Sequence, residues 1–428
     1  MTDRTALEIR TDRRLVRSVH HSTRYALVEV TAPPATSAPV RPRVNVSFVV
    51  DRSGSMASRR KLALAKEAVL AGIARLAAAD RFSVVAFDEV VDVVAPGAAA
   101  TSEAKDAAGR HLQPIDPRGQ TALSEGWLRG AEQVAAALDP EGVNRVLLLT
   151  DGLANHGIVD PTLLERHASE LRARGVITST FGVGEDFDER LLAGMADAGG
   201  GAFRYIKGAE EIPALIGSEV GDLLEVTARG AVLHFVGGDG IEVVPLTPFP
   251  IERHPSRQSI VLGDLVADQV VRLVLALRFP LGVPGGEIGV EAVLESATGG
   301  LSGNSTLRWA FADTEANDRQ ARDRDVDRVV ARSYADRALR DAVTLNRERR
   351  WEEARQLLRA VAQRIKGYAG RDEVLIGIVA ELERESEAWS RLRHEFERKE
   401  RYARSSYALK SRLMSGAPLR IGAEDEDL

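Results

Sequence analysis

The sequence predicts an α/β domain built on a mostly parallel sheet, inserted among the strands of an antiparallel β-sandwich and followed by an α-helical region. Three observations predict it. Near-continuous apolar runs such as VNVSFVVD (44–51) and NRVLLLTDG (144–152) read as strands buried on both faces, as in a parallel sheet. Segments with helical periodicity alternate with those runs as far as residue 222. From Ala231 that periodicity gives way to short strands separated by Gly, Pro, Asp and Asn, the spacing of a sandwich.

Residues 1–42 carry the alternating stretch TRYALVEVTAP, with Tyr25, Leu27 and Val30 apolar, and then the connector PPATSAPVRPR. These strands have no partners nearby in sequence and are expected to join the sandwich. The α/β domain is placed at 43–222. After VNVSFVVD, the stretch RRKLALAKEAVLAGIARLAAAD places Leu62, Ala65, Val69, Ile73 and Leu76 on one helical face. RFSVVAFDEVVDVVAPG reads as a strand pair and TALSEGWLRGAEQVAAAL as a helix. PTLLERHASELRARG and DERLLAGMADAGG read as helices flanking the strand VITSTFGVG, and AFRYI closes the domain.

The sandwich is placed at 223–313, with strands in AVLHFVGGDGIEVVPL, QSIVLGD, QVVRLVLALRFP, GEIGVEAVLES and NSTLRWAFA. Residues 314–412 are read as charged helices whose Arg and Glu form solvated faces, with Trp351 and Trp389 as packing anchors. WEEARQLLRAVAQRI has the flavour of a tetratricopeptide helix, but no second copy follows at the expected period. Residues 413–428, ending in AEDEDL, read as a disordered acidic tail.

Composition narrows the function. The chain has 428 residues, enough for two or three domains, and a formal charge of −6, which argues against a general nucleic-acid or anionic-membrane binder. It contains no cysteine, which removes disulfides, thiol catalysis, iron–sulfur clusters and cysteine-based zinc sites, and fits a reducing compartment. The opening MTDRTALEIRTDRRLVRS lacks the apolar core of a secretory signal. The longest apolar stretch, VVRLVLALRF, is interrupted by Arg272 and Arg278 and is too short to span a bilayer. The expectation is a soluble cytoplasmic protein. The excess of Arg over Lys and the many alanines point to a GC-rich bacterial genome.

In a doubly wound sheet, ligands collect beyond the carboxyl ends of the strands. Three segments place oxygen donors there: DRSGSM with Asp51, Ser53 and Ser55, RGQTALSEG with Thr121, and RVLLLTD with Asp151. Such hard donors select Mg²⁺, Mn²⁺ or Ca²⁺. Two carboxylates formally neutralise a divalent ion. Where they act through water the ion stays electrophilic, and an open position can take an Asp or Glu from another protein. Taken alone, DRSGSM also reads as a helix cap, a role compatible with coordination.

Asp51-x-Ser53-x-Ser55, then Thr121, then Asp151 resembles the metal-ion-dependent adhesion site of von Willebrand factor type A (VWA) domains. FVVDRSGSM, RFSVVAFD, GQTALSEG, LLLTDG and STFGVGEDFDERLL follow in that family's order. Gln120 departs from the pattern, standing where a second glycine often precedes the threonine. The resemblance implies a Rossmann-like sheet and a site for Mg²⁺ or Mn²⁺. Ser53, Ser55 and Thr121 would bind directly, Asp51 and Asp151 largely through water, and a partner's carboxylate would complete the sphere. LGDLVADQVVRLVLAL and the helical region resemble, more loosely, companion regions of bacterial members. By that likeness the chain is a non-enzymatic interaction module or adaptor. An AAA+ ATPase is a candidate partner, on a separate chain because GxxxxGK[ST] is missing from this one.

Two other classes compete: a hydrolase using the ion to activate water, and an oligomerising structural protein with a vestigial site. Neither GVGED (182–186) nor GGG (199–201) has the form of a phosphate loop, and both read as turns. DRSGSM does not match the GxSxG elbow of a serine hydrolase. His156 lies close behind Asp151 and reads as a solvated loop residue or a rim contact; His20 and His21 are assigned no role.

Overall fold

The computed structural model describes residues 5–35, 41–298, 300–410 and 412–414. In chain order the strands and helices are β1 (Leu7–Thr11), β2 (Leu15–Arg17), β3 (Ser22–Thr31), β4 (Val44–Asp51), α1 (Lys61–Ala74), β5 (Arg81–Phe87), β6 (Val91–Ala99), α2 (Ser102–Leu112), α3 (Leu123–Ala135), β7 (Val143–Thr150), α4 (Pro161–Ala173), β8 (Ile177–Val183), α5 (Glu189–Ala198), β9 (Gly200–Ile206) and α6 (Ile212–Leu224). There follow β10 (Val226–Val236), β11 (Glu242–Pro245), β12 (Ile251–His254), β13 (Arg257–Val266), β14 (Gln269–Phe279), β15 (Glu287–Glu295), β16 (Gly303–Ala312), α7 (Thr314–Arg319), α8 (Arg324–Arg347), α9 (Trp351–Ala369), α10 (Glu373–Ala388), α11 (Glu395–Lys410) and β17 (Arg412–Met414). The described residues form two compact units, one drawn from 34–229 and 263–267, the other from 5–33, 230–262 and 268–414.

The first unit is the α/β fold predicted from sequence. Its sheet runs β6-β5-β4-β7-β8-β9, parallel except for β6, which turns back antiparallel on β5. β4 and β7 are buried at all eight positions each, which is why both read as near-continuous apolar runs, broken by buried polar residues such as Asn45, Ser47, Asn144 and Arg145. From β4 the chain first builds outward to β5 and β6, then returns to add β7 on the other side. The winding therefore reverses between β4 and β7, and a crevice opens beyond their carboxyl ends.

Helix α3 lies close against this sheet because two glycines face it. A Cβ at Gly130 would stand 2.2 Å from Val49 Cγ2, and one at Gly126 2.4 Å from Phe87 Cγ. Between them Trp127 is fully buried and donates to Thr178 Oγ1 at 3.1 Å. Gly130→Ala is therefore expected to destabilise the domain by about 1–3 kcal/mol through overpacking, read as a lower thermal midpoint. Helices α2 and α6 have no counterpart in the sequence reading.

In the second unit β1, β3, β14 and β11 form one sheet, with β17 also paired to β14. The other runs β12-β13-β10-β15-β16-β2. The N-terminal strands thus divide between both sheets. Phe279 of β14 meets Trp309 of β16 edge to face, 4.8 Å between ring centroids, joining the two inner faces. On the outer face of the first sheet, Tyr25, Leu27, Val274 and Ala276 pack against Val326 and Val330 of α8.

The helical region is less solvated than its composition predicts. Arg332 sits between Asp336 (2.7 Å) and Glu381 (2.5 Å), all three largely buried. Trp389 is buried, as its reading as an anchor expects, whereas Trp351 is only half-buried. Of the stretch read as an acidic tail, Leu413 and Met414 belong to β17, and residues 415–428 lie outside those described.

Candidate metal centre

The five residues singled out by sequence reach the crevice from three places. Asp51 is the last residue of β4, and Asp151 follows Thr150, the last of β7. Because β4 and β7 are paired neighbours, the two carboxylates emerge side by side at the reversal point. Ser53 and Ser55 lie on the turn leaving β4, and Thr121 stands just before α3.

Local hydrogen bonds draw four of them into one cluster. The Ser53 amide donates to Asp51 Oδ1 at 2.7 Å, and Ser55 Oγ donates to Asp151 Oδ1 at 2.5 Å. The two serine hydroxyl oxygens are 3.1 Å apart. Thr121 joins from the other side: a Cβ on Gly152 would stand 3.0 Å from Thr121 Oγ1 and 3.7 Å from Asp51 Oδ2. Asp51, Ser53, Thr121 and Asp151 are buried, while Gly54 and Ser55 are exposed, so the cluster faces solvent on the Ser55 side. Burial pushes the Asp51 carboxyl up to about 6, against hydrogen bonds from Thr150 and Ser53 that favour its charged form.

Several supporting residues escaped the sequence reading. Thr150 Oγ1 donates to Asp51 Oδ2 at 2.5 Å and fixes the carboxylate's rotation. Lys61, the first residue of α1, places Nζ 2.5 Å from Asp151 Oδ2. The loop carrying Thr121 is stitched to the turn after β4: Arg118 N–H donates to Arg52 O at 2.8 Å and Gly54 N–H to Gly119 O at 3.2 Å. Beneath it the buried Asp88 pairs with both Arg52 (3.1 Å) and Arg118 (2.5 Å). Asn155 Oδ1 accepts from the Thr121 amide at 3.1 Å. Arg52, Asp88, Arg118 and Thr150 lie inside the stretches DRSGSM, RFSVVAFD, RGQTALSEG and RVLLLTD, which gave them no separate role; Lys61 and Asn155 lie outside those stretches.

Gln120 is exposed, and its backbone N–H donates to Glu89 Oε2 at 3.0 Å, which leaves Thr121 in place. His156 is solvent-facing, with Nδ1 3.9 Å from Glu125 Oε1. Among the described residues no three His, Asp or Glu side chains gather to hold an ion, so the candidate centre is this mixed set of hydroxyls and carboxylates.

A parallel sheet with one antiparallel edge and this oxygen cluster at its reversal point define the class. Residues 45–216 match the family model of the von Willebrand factor type A domain, and the chain contains a domain of that type. Two bacterial relatives are known only as uncharacterized proteins. YfbK of Escherichia coli is 30% identical over 189 residues, 44% of this chain and 32% of its own length. The protein sll0103 of Synechocystis is 29% identical over 256 residues, 56% of this chain and 59% of its own. The chain thus spans about a third of one relative's length and under two thirds of the other's. Among solved structures, a von Willebrand factor type A protein from Catenulispora acidiphila shares the fold with a TM-score of 0.67 at 19% identity, covering 87% of this chain and 89% of that one. The ArnB paralog VWA2 from Sulfolobus acidocaldarius gives 0.63 at 17% identity, covering 96% and 98%. At such identities the likeness is one of fold. No helix among the described residues is long and apolar enough to cross a membrane.

Proposed function

We propose that the α/β domain is an ion-dependent protein-interaction module, acting in the cytoplasm as an adaptor rather than an enzyme. Ser53, Ser55 and Thr121 hold Mg²⁺ or Mn²⁺ directly, Asp51 and Asp151 hold it through water, and an Asp or Glu of a partner takes the remaining position. The observation that carries this reading is the meeting of two carboxylates and three hydroxyls at the reversal point of the sheet.

The two serine oxygens, held by their own hydrogen bond, already stand at a spacing that octahedral coordination accommodates. Ligand oxygens lie about 2.1 Å from Mg²⁺, so neighbours in an octahedron stand about 3.0 Å apart, and the longer bonds of Ca²⁺ spread them further. Ser53 Oγ and Ser55 Oγ are 3.1 Å apart. Once bound, the ion supplies an electrophilic centre for an anionic oxygen. The protein's own groups do the rest. Thr150 and the Ser53 amide orient Asp51, Lys61 and Ser55 orient Asp151, and the exposed side at Gly54 and Ser55 admits the partner. Leu153, 55% exposed two residues beyond Asp151, offers apolar contact beside the carboxylate. A separate AAA+ ATPase is the partner class that the domain type suggests.

The test is capture from native lysate on the immobilised full chain, comparing wild type in Mg²⁺, wild type in EDTA and Asp151→Ala in Mg²⁺. A protein held only by wild type in Mg²⁺ is the expected result. Three identical captures would contradict the reading.

A further inference from the structure

We infer that Lys61 is a built-in counter-charge of the centre, which weakens the hold on the ion and makes an anionic partner ligand necessary for tight binding. The inference rests on the proposed function and concerns a residue outside the five-position motif.

The geometry is unusual for a lysine. Lys61 is only 7% exposed, and its ammonium stands 2.5 Å from Oδ2 of Asp151, itself fully buried. Asp151 therefore divides its two oxygens, Oδ1 toward the Ser55 hydroxyl and Oδ2 toward Lys61. Lysine is rarely buried, and a paired ammonium inside the fold requires a backbone that delivers it there.

That backbone is strained in the two residues before it. Arg59 has φ 49° and Arg60 φ 57°, two successive side-chain-bearing residues in the left-handed region. L-residues seldom adopt this conformation, and such strain persists where the surroundings hold it. It turns the chain out of the Gly54–Arg60 segment so that α1 begins with Lys61 directed inward. On its other side the ammonium meets Gly184 in the GVGED turn, where a Cβ would stand 3.7 Å from Nζ.

The charge balance gives the consequence. Two carboxylates alone would neutralise a divalent ion. Lys61 cancels one of them, so the loaded centre keeps a unit of positive charge in a largely buried setting, where such charge is poorly screened. A carboxylate arriving on the Ser55 side removes that excess. A neutral ligand such as water or an amide does not. Lys61 thus acts as a positioning and selectivity residue, holding Asp151 while biasing the open position toward anions.

The experiment uses the full chain, with Mn²⁺ as the ion and acetate as the carboxylate probe. Calorimetric titration compares wild type, Lys61→Met and Lys61→Arg, and circular dichroism in EDTA checks folding. Lys61→Met is expected to bind Mn²⁺ about tenfold more tightly, with acetate giving little further gain. Wild type and Lys61→Arg are expected to bind more weakly and to tighten when acetate is added. Equal or weaker Mn²⁺ binding by folded Lys61→Met overturns the inference and leaves the metal-centre reading standing. Wild type that fails to bind Mn²⁺ at all overturns both. If Lys61→Met does not fold, wild type still decides: Mn²⁺ affinity insensitive to acetate overturns the counter-charge role.

Discussion

Asp151→Ala is expected to melt at the same temperature with and without Mg²⁺, whereas wild type gains stability from the ion. Binding to the folded state alone contributes about 2.7 kcal/mol at a hundred times the dissociation constant, so the lost shift is large. The ion-free variant also suffers. Lys61, with a side chain 9% exposed, loses the carboxylate at 2.5 Å that balances it inside the fold. Leaving a buried charge without its partner costs about 3–5 kcal/mol. Differential scanning calorimetry of both proteins in EDTA and in Mg²⁺ reads both effects. A Mg²⁺-dependent shift that survives in Asp151→Ala would show that the ion stabilises the chain elsewhere.

The second large effect is expected in the helical region. Arg332 of α8 bridges Asp336, one turn along its own helix, and Glu381 of α10, at 2.7 and 2.5 Å. The side chains are 17%, 9% and 12% exposed, so solvent screens them little. Arg332→Ala leaves two buried carboxylates, with Arg401, at 3.6 Å, and Arg404 as further cations near Glu381. A loss of about 3–5 kcal/mol follows. Without the guanidinium, burial favours the protonated form of both acids. The deficit is therefore greatest at neutral pH and narrows as acid supplies the protons. Urea melts of the two proteins at neutral and mildly acid pH check this; a variant with an unchanged midpoint would mean the bridge contributes nothing.

Some parts of this architecture were open to reading from sequence and others were not, for physical reasons. β4 and β7 announced themselves because a central parallel strand, buried on both faces, is mostly apolar, and each carries its carboxylate at or just after its carboxyl end. Helix α2 did not, because it buries only Ala108 and Leu112, too sparse a pattern to show the helical period. Helix α6 carries Pro213 in its first turn along with Gly217 and Gly221, residues that signal breaks when seen in isolation. Asp51, Ser53, Ser55 and Asp151 were legible as oxygen positions because they lie at or just beyond the ends of β4 and β7, whereas Thr121, before α3, was read from the family's motif order. Lys61 was not, since RRK looks like a solvated charge run until the left-handed turn at Arg59 and Arg60 directs the third residue inward. Arg332 was hidden for the same reason, its partner Glu381 lying on another helix.

The central claim is that Ser53, Ser55 and Thr121 hold a divalent ion at the reversal point of the sheet. The measurement that tests it most directly is a crystal structure of the full chain grown in Mn²⁺, with anomalous differences collected at the manganese edge. One strong peak is expected within bonding distance of the three hydroxyl oxygens, with Asp51 and Asp151 around it. A peak elsewhere, or none at saturating Mn²⁺, would contradict it.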